Sequence, residues 1–372
     1  MKVPGRKQTA DSVIAPLRPP THLRIPLDGL VPQFAPGDLV EAGRPIAISA
    51  PTDQFERRRH SPFTGEIIEV ADAIVIEGVV APSRPVSAKP ESVVTTARLA
   101  GLVGMGGAMF PTYAKLAGEE PVDCVIVNGC ESEPYVTCDH RVLVEQRAEV
   151  EGGMQIAMSA VGATRGVIAD GETGYVDGEE SRLVQRVLGR VVPWGKRPRS
   201  VGALVVNVQT VRSLYRAMND GHPLVERIIT VDGGAVGRPG NYRVPIGTEV
   251  GHILAECHTD LDRAEAIILG GPMMGQAAEL TDPVVAGTIA VLALGSEEIT
   301  KPQDGPCIGC GRCMEVCPSG LPAIHLTQNP SSELSRCTEC GACQFACPSH
   351  CELVGMLRKA KARLQNSTRG AG

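Results

Sequence analysis

Eight cysteines near the C-terminus of this chain can bind metal, and their spacing says how. Cys307, Cys310, Cys313 and Cys317-Pro318 form a C-x2-C-x2-C-x3-C-P run, which Cys337, Cys340, Cys343 and Cys347-Pro348 repeat. Three thiolates this close wrap one corner of a cubane iron–sulfur cluster. The fourth, displaced along the chain, ligates the other cluster in two-cluster ferredoxins. The spacing thus predicts one [4Fe–4S] cluster on Cys307, Cys310, Cys313 and Cys347, and another on Cys337, Cys340, Cys343 and Cys317. Paired zinc ribbons share the C-x2-C knuckle, but zinc has no use for the third close Cys, the longer gap or the Pro. The predicted chemistry is one-electron transfer.

Three loops further up the chain are candidates for a second site. In Gly104-Met105-Gly106-Gly107-Ala108-Met109-Phe110-Pro111-Thr112 the glycines let backbone approach a phosphate or an isoalloxazine edge. It is not the Rossmann fingerprint, whose third Gly falls where Met109 stands, and a tight turn explains it equally well. Asn128-Gly129-Cys130-Glu131-Ser132-Glu133-Pro134 follows an apolar run. There Asn128 can offer an amide to a flavin ring and Glu131 can accept from a ribose or nicotinamide, although paired Glu residues on a loop are also ordinary solvated charge. In Tyr175-Val176-Asp177-Gly178-Glu179-Glu180 the acidic residues suit a helix dipole as well as a ligand.

The elements that must position these loops fall into four regions, making a multidomain α/β protein with small β modules. Residues 1–84 carry short β-rich pieces between Gly turns, the pattern of a barrel-sandwich module of the biotinyl/lipoyl-carrier shape. The stretch Asp53 to Arg57 has no Lys to carry a prosthetic group, so the module is expected to be unmodified. In 93–226, Val122 to Val127 and Val201 to Val208 are apolar runs of a buried parallel sheet, and Arg147 to Val161 and Ser181 to Leu188 have helical spacing. This is a Rossmann-like α/β core whose ligand crevice belongs at its strand ends. Residues 227–295 return to strands, with a turn at Pro239-Gly240-Asn241-Tyr242 and a short helix from Val250 to Cys257, which suggests a β-grasp. Residues 296–372 hold the ferredoxin-like cysteines and a basic helix from Glu352 to Leu364.

Composition bounds the partners. A formal charge of −6 over 372 residues, with no Lys/Arg block, excludes a nucleic-acid groove. The longest apolar run, Val284 to Leu294, is too short to span a bilayer, so no direct membrane span is expected. No basic region precedes an apolar stretch at the N-terminus, so no signal peptide is expected. Thirteen cysteines then fit metal ligation in a reducing cytoplasm. Cys124, Cys130, Cys138 and Cys257 are expected to be buried free thiols.

The order and wording of the motifs match a family. Gly104 to Lys115, Asn128 to Arg141, Tyr175 to Leu183 and Asn207-Val208-Gln209-Thr210 resemble the flavin- and NADH-binding core of the complex I flavoprotein subunit. The chain is more similar still to RnfC, a component of the Rnf electron-transport complex, with Ile267 to Gly275 adding to the likeness. The resemblance covers about Gly5 to Leu364. It implies a barrel-sandwich module, an FMN/NADH core, an SLBB-like β-grasp and a two-cluster ferredoxin domain, in that order. Gly104, Gly106, Gly107 and Lys115 are implied contacts of the FMN phosphate and ribityl side. Asn128, Glu131, Gly178, Glu179, Asn207 and Thr210 would surround the isoalloxazine, and Phe110 and Glu180, with Tyr175 from the same loop, would lie at the nicotinamide nucleotide. Met109 stands where the family usually has Gly, Met105 replaces the Arg of complex I subunits, and Cys130 replaces Asp or Ala.

The function implied is electron transfer between NADH or NAD+ and two [4Fe–4S] clusters through FMN. Flavin takes a hydride at N5 and releases electrons singly, so it converts a two-electron donor to one-electron acceptors. No protein nucleophile or general acid is needed. The resemblance also implies membrane Rnf subunits and an iron–sulfur partner or ferredoxin as partners. The implied location is cytoplasmic, peripheral on the inner face of the cell membrane, in a translocase. Two other readings share most motifs: a free-standing relative that reduces a corrinoid, and a non-enzymatic iron–sulfur relay that has lost nucleotide binding.

Overall fold

The computed structural model describes residues 7–81, 92–170, 178–299 and 306–369. Tyr175 lies outside the described residues.

The N-terminal β module pairs two antiparallel sheets. One runs in the order His22–Pro26, Ala73–Val80, Phe63–Val70, Leu39–Val40, and the other in the order Val31–Pro32, Pro45–Ile48, Arg58–His60. Alternate residues such as Leu23, Ile25, Ile74 and Ile76 point inward and meet Phe63 and Ile46 in one core, the period-two pattern of half-buried strands. His60 ends a strand of this module, is buried beside Gly101, and is held neutral, its pKa lowered to about 3 chiefly by burial.

Residues 7–16 leave this module. Ile14–Pro16 lies parallel to Gly240–Pro245, at the edge of a six-stranded sheet more than two hundred residues away.

The second unit is a three-stranded parallel sheet in the order Arg165–Ala169, Cys124–Asn128, Ala203–Asn207. Its strands are apolar on both faces because both are covered. Val125, Val127, Leu204 and Val206 pack toward the helices Arg147–Val161 and Val208–Asp220. Cys124, Ile126 and Val205 pack toward Leu183 and Val184 of the helix Glu180–Leu188.

The six-stranded sheet runs in the order Ile14–Pro16, Gly240–Pro245, Glu226–Asp232, Ala290–Leu294, Ala266–Leu269, Gln276–Ala277. Its two central strands are parallel, and the helix Val250–Glu256 packs on one face. The turn expected at residues 239–242 is instead the start of a strand. Asn241 is fully buried there, because its side chain accepts from Thr230 and Thr137 hydroxyls and donates to the Thr9 carbonyl. Only Ala290–Leu294 of the apolar run 284–294 is a strand, and no helix among the described residues is long and apolar enough to cross a membrane.

The C-terminal unit repeats itself. Gly311 and Gly341, both left-handed at φ +76°, each introduce a four-residue helix, Arg312–Glu315 and Ala342–Phe345. The helix Leu353–Arg369 buries Leu353, Leu357 and Ala360 on one stripe. Its Lys361 donates to the Cys337 carbonyl at 2.7 Å and to Glu339, which also takes Arg358.

Candidate functional site

Asn128 and Asn207 end adjacent parallel strands and are register partners, so the loops after them open on one crevice, where open α/β sheets take ligands. The loop 104–112 faces the same place. It is closed on itself by Gly104 N–H to the Phe110 carbonyl at 2.8 Å and Met109 N–H to the Gly104 carbonyl at 3.1 Å. Gly107, at φ +111°, has nothing within 4 Å of where a side chain would start, and Gly106 has only Asn207 there, at 3.6 Å and beyond. Two consecutive residues thus offer bare backbone to open space beside Asn207, a cradle that side chains would fill.

Most of the suggested polar residues hold the crevice together from within. Asn128 donates to the Gly178 carbonyl at 2.9 Å and accepts from Cys130 N–H, tying the strand end to the 178–180 loop. Glu179 caps the helix Glu180–Leu188 by accepting from Arg182 N–H at 3.0 Å. Asn207 caps the helix Val208–Asp220 by accepting from Gln209 and Thr210 N–H, and Thr210 Oγ1 accepts from Met105 N–H at 2.9 Å. Glu131 accepts from Asp139 and His140 N–H at the start of the helix Cys138–Glu145. Lys115 and Glu180 form an ion pair at 2.8 Å. Met105 turns inward and is 1% exposed, so it is a core residue beneath the loop.

Phe110 lies at the crevice edge between two neighbours that its sequence context does not announce. Phe55, from the tip of an N-terminal hairpin, meets it edge-on at 5.2 Å and 72°, and the Arg197 guanidinium stands 5.3 Å from its ring centre.

Beneath the crevice lies a polar knot. Asp139 accepts from Asn207 at 2.6 Å and Gln209 at 2.8 Å, with the buried Arg227 guanidinium nearby. Burial raises the Asp139 carboxyl, against the pull of Gln209, Arg227 and Asn207. Burial, with Asp139 as neighbour, likewise pushes Glu131 up to about 7. Asp139 in isolation is an unremarked first-turn helix acid; only its position eight residues after Glu131 hints at a pair.

The C-terminal thiols line two cavities. Cys317, Cys337, Cys340 and Cys343 surround one, together with Leu321 and Leu357. Cys307, Cys310, Cys313 and Cys347 surround the other, which Cys351 also lines. Each cavity therefore takes three thiols from one run and the fourth from the other. Cys124, Cys130, Cys138 and Cys257 are buried free thiols elsewhere.

The family model of the Nuo51 FMN-binding domain matches residues 97–169, and that of a 4Fe-4S dicluster domain matches residues 301–348. The class is thereby defined: an electron-transport oxidoreductase component with an FMN-binding and an iron–sulfur domain. The chain is 31% identical to the RnfC-type component of the ion-translocating oxidoreductase complex of Rhodobacter capsulatus, over 86% of this chain and 71% of that protein. It is 32% identical to the corresponding component of the proton-translocating ferredoxin:NAD(+) oxidoreductase complex of Clostridium ljungdahlii, over 84% of this chain and 77% of that protein. The counterpart from the Na(+)-translocating complex of Acetobacterium woodii is 35% identical over 62% of this chain and 58% of that protein. The chain belongs to the RnfC family.

Proposed function

We propose that this chain passes electrons between NADH or NAD+ and two [4Fe–4S] clusters by way of FMN, as the cytoplasmic component of an Rnf-like ferredoxin:NAD+ oxidoreductase. The observation that carries the reading is the union, on one chain, of the Gly106–Gly107 cradle at paired strand ends and two cavities lined by four or more thiols each.

FMN fits the crevice on three counts: bare backbone at Gly106 and Gly107, a lysine at Lys115, and strand-end amides at Asn128 and Asn207. Gly104, Gly178, Glu179, Thr210 and Glu131 shape its walls, and Phe110, Tyr175 and Glu180 lie on the nicotinamide side. When bound, the flavin supplies the conversion between a hydride and single electrons. The chain's residues orient the two rings and keep water out. Asn128 and Asn207 hold the loops, Asp139 fixes the Asn207 amide, and no side chain needs to act as nucleophile or acid.

The thiol cavities suit clusters better than single ions. Among the described residues no three His, Cys, Asp or Glu side chains converge closely enough to hold one ion, and thiols standing around a cavity suit a bulkier occupant. The ligand sets in this reading are Cys307, Cys310, Cys313 and Cys347, and Cys337, Cys340, Cys343 and Cys317. The parallel central strands of the six-stranded sheet support the β-grasp (SLBB-like) assignment of residues 227–295, and the paired sheets before residue 81 support the barrel-sandwich one. Membrane subunits of the complex and an iron–sulfur partner or ferredoxin are the proposed partners, with the chain peripheral on the inner face of the membrane.

The test is an anaerobic NADH titration of the reconstituted protein, following flavin and cluster absorbance separately. Bleaching of one flavin and then the clusters is expected. A protein with two reducible clusters that NADH leaves untouched would reduce the chain to a relay.

A further inference from the structure

Glu133 is buried where three parts of the chain meet, at 4% exposure. Its carboxylate accepts from Met273 N–H through Oε2 and from Met274 N–H through Oε1, each at 2.9 Å. A side-chain carbon on Gly271 would collide with Glu133 Oε2, so the loop 270–275 closes on the carboxylate only because residue 271 has none. The other side of this loop faces the thiol repeat. Met273 packs with Val316, Cys340 and Ala342. Gly341, between two cysteines of one cavity, approaches so closely that a side chain on it would collide with the Met273 carbonyl. One short loop thus touches the 128–134 loop on one side and the Cys317/Cys337/Cys340/Cys343 cavity on the other. The second cavity is lined by residues 307–353 alone, with Cys307 and Cys310 exposed.

We propose that the 270–275 loop is the electron bridge from the flavin crevice. The Cys317/Cys337/Cys340/Cys343 cage receives electrons first, the Cys307/Cys310/Cys313/Cys347 cage passes them outward, and Glu133 is the positioning residue of the bridge. The inference rests on the flavin and cluster reading above. The step is a single-electron transfer: flavin reduced by NADH loses one electron, the oxidised cluster gains it, and no bond forms or breaks. Tunnelling favours such packed and hydrogen-bonded contact over a gap. Burial pushes the Glu133 carboxyl up to about 7 against the Met273 and Met274 amides and Lys7, so the clasp carries its charge above neutral pH.

The test mixes holoprotein rapidly with NADH and resolves flavin from cluster bleaching. Glu133→Gln can no longer accept both amides through carboxylate oxygens. It is expected to keep flavin bleaching within about twofold and to slow cluster bleaching about tenfold, a loss on the scale of one charged hydrogen bond. It should also raise the midpoint potential of the first cluster in an EPR titration, because a nearby negative charge is gone. Order is tested with Cys310→Ala and Cys340→Ala, each confirmed to retain one cluster by iron content. NADH should rapidly reduce the cluster left in Cys310→Ala and not the one left in Cys340→Ala. Equal rates in the two Cys variants, or an unchanged cluster rate and potential in Glu133→Gln, overturn the bridge while leaving the dehydrogenase reading in place. Wild-type protein whose flavin NADH does not bleach overturns both.

Discussion

Lys115 Nζ lies 2.8 Å from Glu180 Oε1, so two side chains expected to serve different parts of a bound nucleotide hold each other. The pair is 32% and 45% exposed, which makes it weak and easily exchanged for a phosphate. Glu180→Gln should therefore tighten FMN binding to the flavin-free protein by a few-fold, and Lys115→Ala should weaken it about tenfold. Quenching of FMN fluorescence on titration reads both. Unchanged affinity in Lys115→Ala would remove Lys115 from the phosphate site.

Met109 has φ +49°, a left-handed backbone that costs a non-Gly residue about 1 kcal/mol. Its side chain fills space against Gly287 and packs on the central core. Met109→Gly relieves the strain, gives up some packing and opens the crevice. The KM for NADH is expected to fall several-fold with FMN affinity unchanged, and steady-state kinetics on flavin-loaded protein decide it. A KM that stays put shows that Met109 does not crowd the nucleotide.

Glu131 and Glu133 are both pushed up to about 7, chiefly by burial, from an ordinary 4.5. Between those values the folded chain binds more protons than the unfolded one. Stability must then fall as pH rises through the window, with the loss complete above about 7. Glu56, Asp123, Glu226 and Glu339 are shifted downward and lose their contribution only under acid conditions. The thermal midpoint of the cofactor-free protein should drop between about pH 5 and about pH 8, with a shallower slope in Glu131→Gln. A midpoint that climbs across this window contradicts the raised carboxyls.

Helix Arg147–Val161 passes so close to helix Val208–Asp220 that a side chain on Gly153 would collide with the Val211 carbonyl. Gly153→Ala must push apart the helix whose N-terminus carries Asn207 and Thr210. A loss of about 1–3 kcal/mol is expected in denaturant unfolding, together with weaker FMN retention. A neutral result would mean that the helices separate at no cost.

Much of this was legible in the sequence wherever local pattern decides the outcome. Ile126 and Val205 face one side of the parallel sheet while Val125 and Leu204 face the other, so both strands read as unbroken apolar runs. The cysteine runs carry their own geometry in their spacing. What stayed hidden depends on distant partners. Glu133 resembles any solvated loop acid, and its amide partners lie 140 and 141 residues on. Phe55 belongs to a hairpin whose missing Lys marked it only as unmodified, and nothing local tells that its ring meets Phe110. The supposed turn at residues 239–242 misled because Asn241 is a turn former whose side chain here is consumed by Thr9, Thr137 and Thr230.

The pairing of Ile14–Pro16 with Gly240–Pro245 also sets a schedule for biosynthesis. The N-terminal β module can close early on the ribosome, since all its strands lie within residues 22–80. Residues 7–16 must wait for their distant edge strand to emerge, and Lys7, which donates to the Glu133 carbonyl at 2.8 Å, waits with them. The floor of the crevice is therefore among the last parts of the molecule to be completed, a long-range closure of the kind that slows folding. FMN insertion is expected to follow release of the nearly full-length chain.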